Sequence, residues 1–235
     1  MPDADPNILS PVRQETAPLR RLIISSIRRA IENGTLPHGS RLIERDLCEQ
    51  LNVSRTSLRE SLRELEAEGL IGRQGKRGLV VTKITAPEAE NIYKVRAVLE
   101  ALVAEQFATN PDPAALSKLR ELVNDLAAAY LEGDMGEILD TKRKFYEGLC
   151  TGAGNAIVLD ILQRLNSRIS QLRSSSLSTA NRRPRSIEEV NALVDAIASG
   201  NVAEARKMAL LHVSNAAEIA LGKKLKITKM SNENE

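Results

Sequence analysis

Residues 52–70 read "NVSRTSLRESLRELEAEGL". Leu58, Leu62 and Leu65 recur at helical spacing, and Arg55, Arg59 and Arg63 form a second row beside them rather than opposite. A helix that buries the leucines would therefore carry guanidinium groups along the edge of its buried face. Ser54 is a good N-cap for a helix beginning at Arg55, because a serine hydroxyl accepts from the free N–H groups of a first turn. Just upstream, "IERDLCEQLN" (43–52) has the pattern of a short helix with Leu47 and Leu51 inward. The tripeptide Asn52-Val53-Ser54 joins the two tightly, which is the helix-turn-helix arrangement.

In such a unit the second helix enters the DNA major groove, with its N-terminal residues at base edges. Arginine suits that position, since its fork holds guanine O6 and N7 together or two phosphate oxygens. Ser54, Thr56 and Ser57 add small donors at a helix start that already favours anions. An alternative is a solvated face, with Glu60, Glu64, Glu66 and Glu68 as i, i+3 and i+4 partners. It accounts poorly for Arg55 and Arg59, which share the turn end with hydroxyl residues; for Arg63 both readings stand.

Outward from this stretch, "APLRRLIISSIRRAIENGTL" places Leu19, Leu22, Ile23, Ile27, Ala30 and Ile31 at helical spacing before the stop signal Asn33-Gly34. After Gly69, "LIGR" and "GLVVTKI" read as two strands around the basic tip "QGKRG", a hairpin whose Lys76 and Arg77 suit a minor groove or phosphate row. Beyond "TKITAP" the spacing predicts helices over about 88–109, 113–132, 134–151, 154–173, 185–199 and 201–221. Six helices with short connections make an antiparallel bundle. The first of them is predicted to bury Ile92, Val95, Val98, Leu99, Leu102 and Val103 on one stripe. The Ser-rich run "SSSLSTANRRPR" reads as a break, with its basic part (178–185) a mobile loop near a pocket mouth.

The expected fold class is mainly α: an N-terminal winged helix-turn-helix with a small β-hairpin, then a C-terminal all-α antiparallel helical bundle. The expected division is a disordered arm over 1–16, a DNA-reading unit over 17–83, a linker over 84–87, a helical effector-binding and dimerisation domain over 88–222 and a flexible tail over 223–235. Composition agrees. Hydrophobic residues make up 42% but aromatics only 2%, with no Trp, and a Leu-, Ile-, Val- and Ala-based core favours helices. Cys48 and Cys150 lie far apart in helical patterns, which excludes a disulfide scaffold and points to a reducing cytoplasm. No stretch has the length of an apolar membrane span. Residues 1–85 hold fourteen Lys and Arg against eleven Asp and Glu, so the small net charge of +2 is concentrated at the N-terminal end.

The run "RLIERDLCEQLNVSRTSLRESLRELEAEGLI" closely resembles the winged helix-turn-helix of GntR-family bacterial transcription regulators, which commonly read "RLxExxLAxxLGVSRTPVREALRxLExEGL". Carried over by position, the resemblance implies DNA contacts from Arg45, Ser54, Arg55, Thr56 and Arg59, with Gly75 and Lys76 in the wing. His38 in the turn and Ser57-Leu58 in place of Pro-Val are departures at positions that make no contact.

The helical half resembles the FadR-type C-terminal ligand-binding domain of one GntR subgroup, through "YKVRAVLE", "KRKFYEGLCTGAGN", "EEVNALVDAIASGN" and "AEARKMALLH". Many members of that subgroup hold a divalent metal with an Asp and three His. Those four positions fall here on Lys142, Tyr146, Val190 and His212. One imidazole cannot hold a metal that needs three or four ligands, and an ammonium group would repel it, so no metal or other cofactor is expected. Lys142 and Tyr146 share a helix face. The resemblance therefore implies a carboxylate effector held by Lys142 and Arg96, with hydrogen bonds from Tyr146 and His212.

The function expected is a cytoplasmic, homodimeric regulator, a repressor on a near-palindromic double-stranded operator, tuned by an anionic metabolite. Two rivals stay open: an architectural DNA-binding dimer without effector, and a small helical enzyme using Lys142 as nucleophile or Tyr146 as acid.

Overall fold

The computed structural model describes residues 17–225, apart from the side chains of Ala17, Lys76, Asn166 and Ser167. The arm expected over 1–16 and the tail after residue 225 lie outside the described residues. The elements run α1 (Ala17–Glu32), α2 (Glu44–Leu51), α3 (Arg55–Ala67), β1 (Ile71–Arg73), a 3-10 turn (Gly75–Arg77), β2 (Leu79–Val81), α4 (Ala86–Thr109), α5 (Pro113–Glu132), α6 (Met135–Gly152), α7 (Ala156–Leu177), α8 (Arg182–Ala198) and α9 (Val202–Leu221).

The first three helices and the hairpin close around one core of Ile23, Ile24, Ile27, Ile31, Leu47, Leu58, Leu62, Leu65, Leu70 and Ile71. Each fully buried Leu or Ile contributes roughly 1.5–3 kcal/mol, so the leucine row of α3 alone fixes which side of that helix turns inward. Asn52 sits in the left-handed region at φ 51°, which lets α2 stop and α3 start within three residues. Ser54 caps α3 by accepting from the Ser57 N–H at 3.2 Å. Gly69, at φ +75°, ends it. The strands are shorter than the sequence predicts. They pair antiparallel in the register Ile71–Val81, Gly72–Val80 and Arg73–Leu79, and Arg41 bridges to Val80 as an outer rung.

The helices α4 to α9 form the second body around Phe107, Leu119, Phe145, Leu149, Ile169, Val190, Val194 and Val213. Thr85, Asp112, Asp134, Asn155 and Asn201 each cap the helix they precede, as small oxygen-bearing residues should. Helix α4 differs from expectation. Its buried face is built from Ala89, Ile92, Tyr93, Arg96, Ala97, Glu100, Ala101, Val103, Ala104 and Phe107, while Val95, Val98 and Leu102 are exposed at 43%, 44% and 37%. Small residues let α9 approach α4 closely, and the expected stripe is split: Ile92 and Val103 are inside, Val95, Val98 and Leu102 outside. The Ser-rich run also differs. α7 continues to Leu177 and α8 starts at Arg182, leaving 178–181 as the only break. At the far end, Lys223 pairs with Glu90 of α4 at 2.7 Å and Leu225 is buried, so the start of the expected tail packs on the bundle.

The two bodies meet along α7. Ser174 donates to the Glu32 carbonyl at 3.4 Å and Gln171 to the Thr82 carbonyl at 3.5 Å, while Arg168, which pairs with Glu88 of α4 at 3.0 Å, lies against Gly69. Beside these contacts a cleft of about 650 Å³ separates α1 from α6 and α7, walled by Arg28, Glu32, Asp140, Arg143, Arg164 and Ser170 among others.

Candidate nucleic-acid interface and anion pocket

The start of α3 stands clear of the bundle. Arg45, Ser54 and Arg55 line one open concavity of about 620 Å³ with Cys48, Glu49, Asn52 and Val53, and Thr56 is exposed beside them. Arg59 lies in the next groove, of about 250 Å³, with Glu44, Arg63, Glu66 and Arg73. That groove joins α3 to β1 and β2, so the hairpin is placed to extend the same face. Gly75 opens the turn at its tip with φ +45°; the side chain of Lys76 lies outside the described residues. Several of the cations hold carboxylates on the protein's own surface: Arg59 with Glu44 at 2.8 Å, Arg45 with Asp46 at 3.1 Å and Arg63 with Glu60 at 2.9 Å. Exposed pairs of this kind are worth about 0–1 kcal/mol, so exchanging them for phosphate or base edges costs little. Both readings of Arg63 survive.

The second site is inside the bundle. The structure brings Arg96, Lys142, Tyr146 and His212 together, from α4, α6 and α9, and every one of them is buried. Lys142 Nζ donates to Ser186 Oγ at 3.2 Å and lies 3.3 Å from His212 Nε2. On the other edge of the imidazole, Nδ1 lies 2.6 Å from Glu189 Oε2. The carboxylate can only accept, so Nδ1 carries the proton and Nε2 accepts from Lys142. Arg182 holds both oxygens of Glu189, at 3.0 and 2.9 Å, and Asn215 adds a third donor at 2.8 Å. Although burial raises the Glu189 carboxyl, bonds from His212 and Arg182 outweigh it and bring the group down to about 2.

Arg96 is not a free clamp. Its Nε donates to Glu100 at 2.9 Å inside the bundle, which leaves Nη1 without a partner. Tyr146 meets the cations with its ring: Arg173 stacks 4.3 Å from the centroid and Lys142 Nζ lies 5.7 Å away. Two residues that the sequence pattern does not assign to the site belong here. Arg182 falls in the expected mobile loop, yet it opens α8 and is fully buried against Glu189. Arg173 falls at the expected end of a helix, before the Ser-rich break. Because α7 runs on, its guanidinium turns into the bundle, where no described carboxylate pairs with it and its Nε has no hydrogen-bond partner. An arginine among serines and a leucine at helical spacing is the available signal.

The void among Arg96, Lys142, Arg173, Ser176, Arg182 and His212 is about 10 Å³, room for one water at most. Burial first, then Arg173 and Arg182, hold the Lys142 ammonium well below the usual lysine range. A divalent cation does not fit this donor set. Three guanidinium groups and a lysine face the void, and among the described residues no three His, Cys, Asp or Glu side chains converge.

Residues 19–81 match the model of the bacterial regulatory proteins of the gntR family, and residues 91–215 match the FCD domain. The chain belongs to the GntR family of transcription regulators, in the group that carries an FCD domain. It is a DNA-binding transcriptional regulator. The uncharacterized HTH-type transcriptional regulator YdhC of Bacillus subtilis is 27% identical over 195 residues, which cover 83% of this chain and 87% of that one. The HTH-type transcriptional regulator LutR of the same species is 25% identical over 213 residues, covering 82% and 96%. The solved structure of Escherichia coli McbR/YncC superposes with a TM-score of 0.73 at 22% identity, over 87% of this chain and 97% of that one, and so shares the fold. Among the described residues no helix is long and apolar enough to cross a membrane.

The His212 geometry sets a pH dependence. Burial, and then the Lys142 charge, depress this imidazole from 6.5 to about 4. Between those values the unfolded chain holds the extra proton, so stability falls as pH is lowered through that window. Urea denaturation of the wild type should show a loss on the order of a few kcal/mol between pH 6.5 and pH 4. His212→Gln should flatten that slope; an equal slope in the variant would assign it elsewhere.

Proposed function

We propose that this regulator reads its operator through Arg45, Ser54, Arg55, Thr56 and Arg59, with the Gly75–Lys76 wing on the adjoining groove, and that a small anionic metabolite in the bundle sets the affinity. The observation that carries the effector reading is the cluster of Lys142, Arg96 and Arg173, buried among helices with fewer carboxylates than cations. Such a site is poised for an anion and needs no metal. His212 supports it by fixing the Lys142 ammonium, and Tyr146 by stacking beneath Arg173.

The acting species is a homodimer. One helix-turn-helix makes few base contacts, and two related by a two-fold axis match a near-palindromic operator. The outward stripe of Val95, Val98 and Leu102 on α4 offers an apolar face for the second copy. In the cytoplasm such a dimer acts as a repressor that ligand releases, through a coupling free energy of about 1–3 kcal/mol. Helix α7 is the route: Arg173, Ser176 and Leu177 line the void, while Gln171 and Ser174 of the same helix bond to the DNA-reading unit and Arg168 lies against its Gly69. The rival in which the bundle only joins two copies is favoured by the smallness of the void, and a ligand-dependent melt separates the two.

Three outcomes are expected. Arg59→Ala weakens operator binding by about 1–3 kcal/mol in a gel-shift titration, with its melting temperature close to wild type because only an exposed pair is lost; unchanged affinity would remove Arg59 from the interface. Lys142→Met leaves operator affinity of the free protein near normal and abolishes release by short organic acids, and a variant that still releases fully would refute the anion role of Lys142. Elemental analysis of purified protein finds no stoichiometric zinc, nickel or manganese; one equivalent per chain would overturn the metal-free pocket.

A further inference from the structure

Within the bundle the cations fall into two kinds. Arg96 is neutralised by Glu100, and Arg182 by Glu189. Lys142 and Arg173 have no carboxylate partner among the described residues: Lys142 donates only to neutral groups, and Arg173 rests on the Tyr146 ring. All four are buried. Around them Arg96 Nη1, Arg173 Nε, Arg182 Nε, Ser176 Oγ and the Tyr146 hydroxyl have no hydrogen-bond partner among the described residues. A buried charge with no counter-ion costs several kcal/mol, and an unmet buried donor about 1–3 kcal/mol. Natural folds remove such groups unless something external completes them.

We propose that the pocket is built for a compact dianion, whose two negative charges are those missing opposite Lys142 and Arg173. This rests on the effector reading above and adds the ligand's charge and size. The count decides the charge. With Glu100 and Glu189 already engaged, a monoanion leaves one buried cation exposed to its like-charged neighbours, whereas a dianion leaves none. The charged groups facing Lys142 are Arg96 and Glu100 on α4, Arg173 on α7, Arg182 and Glu189 on α8 and His212 on α9. Repulsion from the arginines is already expressed in the depressed basicity of Lys142 and of Arg173, where burial is the first cause.

Size follows from the cavities. The Arg173 side chain lines both the void of about 10 Å³ and a second one of about 20 Å³, whose other lining residues include Tyr146, Leu162, Ile169 and the mutually paired Arg143 and Glu147. As they stand these voids hold no more than a water or two, so a dianion enters only as the Arg173 side chain gives way, and a short dicarboxylate or a small phosphate carries the required charge with the least demand for space.

The test is calorimetric titration of the full chain near pH 7, where malonate and succinate are dianions and the Lys142 ammonium is more favoured than in the alkaline range, with malonate, succinate and inorganic phosphate against acetate and butyrate. At least one dianion is expected to bind about tenfold or more tighter than either monoanion, and Lys142→Met and Arg173→Met should each erase that preference. Melting curves establish that the variants fold; if one does not, the other decides. Monoanions bound as tightly as dianions by the wild type would overturn the two-charge assignment while leaving the effector reading in place. No binding by any of the five overturns both. A dianion preference kept in both folded variants places binding elsewhere and overturns the assignment to this pocket.

Discussion

An unpaired buried cation is the constraint around which the helical half is organised. Removing a guanidinium or ammonium from water costs several kcal/mol, and here Lys142 and Arg173 bear that cost with no carboxylate paired to them among the described residues. Their neighbours limit the damage. Glu189 gathers Arg182, His212 and Asn215 around one carboxylate, which orients the imidazole so that its free nitrogen accepts from Lys142. Tyr146 gives Arg173 a π face. The leucine and alanine packing between α4 and α9 supplies the stability against which this strain is held.

The DNA-reading half rests on the opposite arrangement. Its arginines lie in water and hold partners that are easily released, while its stability comes from the isoleucine and leucine core behind them. Removing one of these exposed arginines takes away no buried contact, whereas the pocket residues are packed into the core of their half.

Legibility in the sequence follows the same split. The helix-turn-helix can be read because its signals are local: Ser54 caps within three residues, Leu58, Leu62 and Leu65 repeat within two turns, and Gly69 stops the helix. Arg96, Lys142, Tyr146 and His212 are placed in one pocket by resemblance, and the fold brings them together. What local pattern cannot show is the burial of Arg173 and Arg182. A serine-rich, basic stretch has the composition of a loop, and only packing against Tyr146 and Glu189 makes helix the better state. The α4 stripe misleads for a related reason. A helix whose inner face mixes alanines with Ile92, Tyr93, Val103 and Phe107 carries apolar residues on both sides, and periodicity does not say which of them turn inward.

The seam between the two halves has a consequence for the medium in which the protein works. Arg168 lies against Gly69, where a β-carbon would come within 2.7 Å of its guanidinium, and Ser174 and Gln171 bond to the first body further along α7. Beside these contacts runs a solvent-open cleft edged by both signs of charge. Mobile ions reach such charges, and at physiological ionic strength screening sets in over about 8 Å. Dissolved salt therefore screens the charges along this cleft far more than it does the buried pairs inside the bundle.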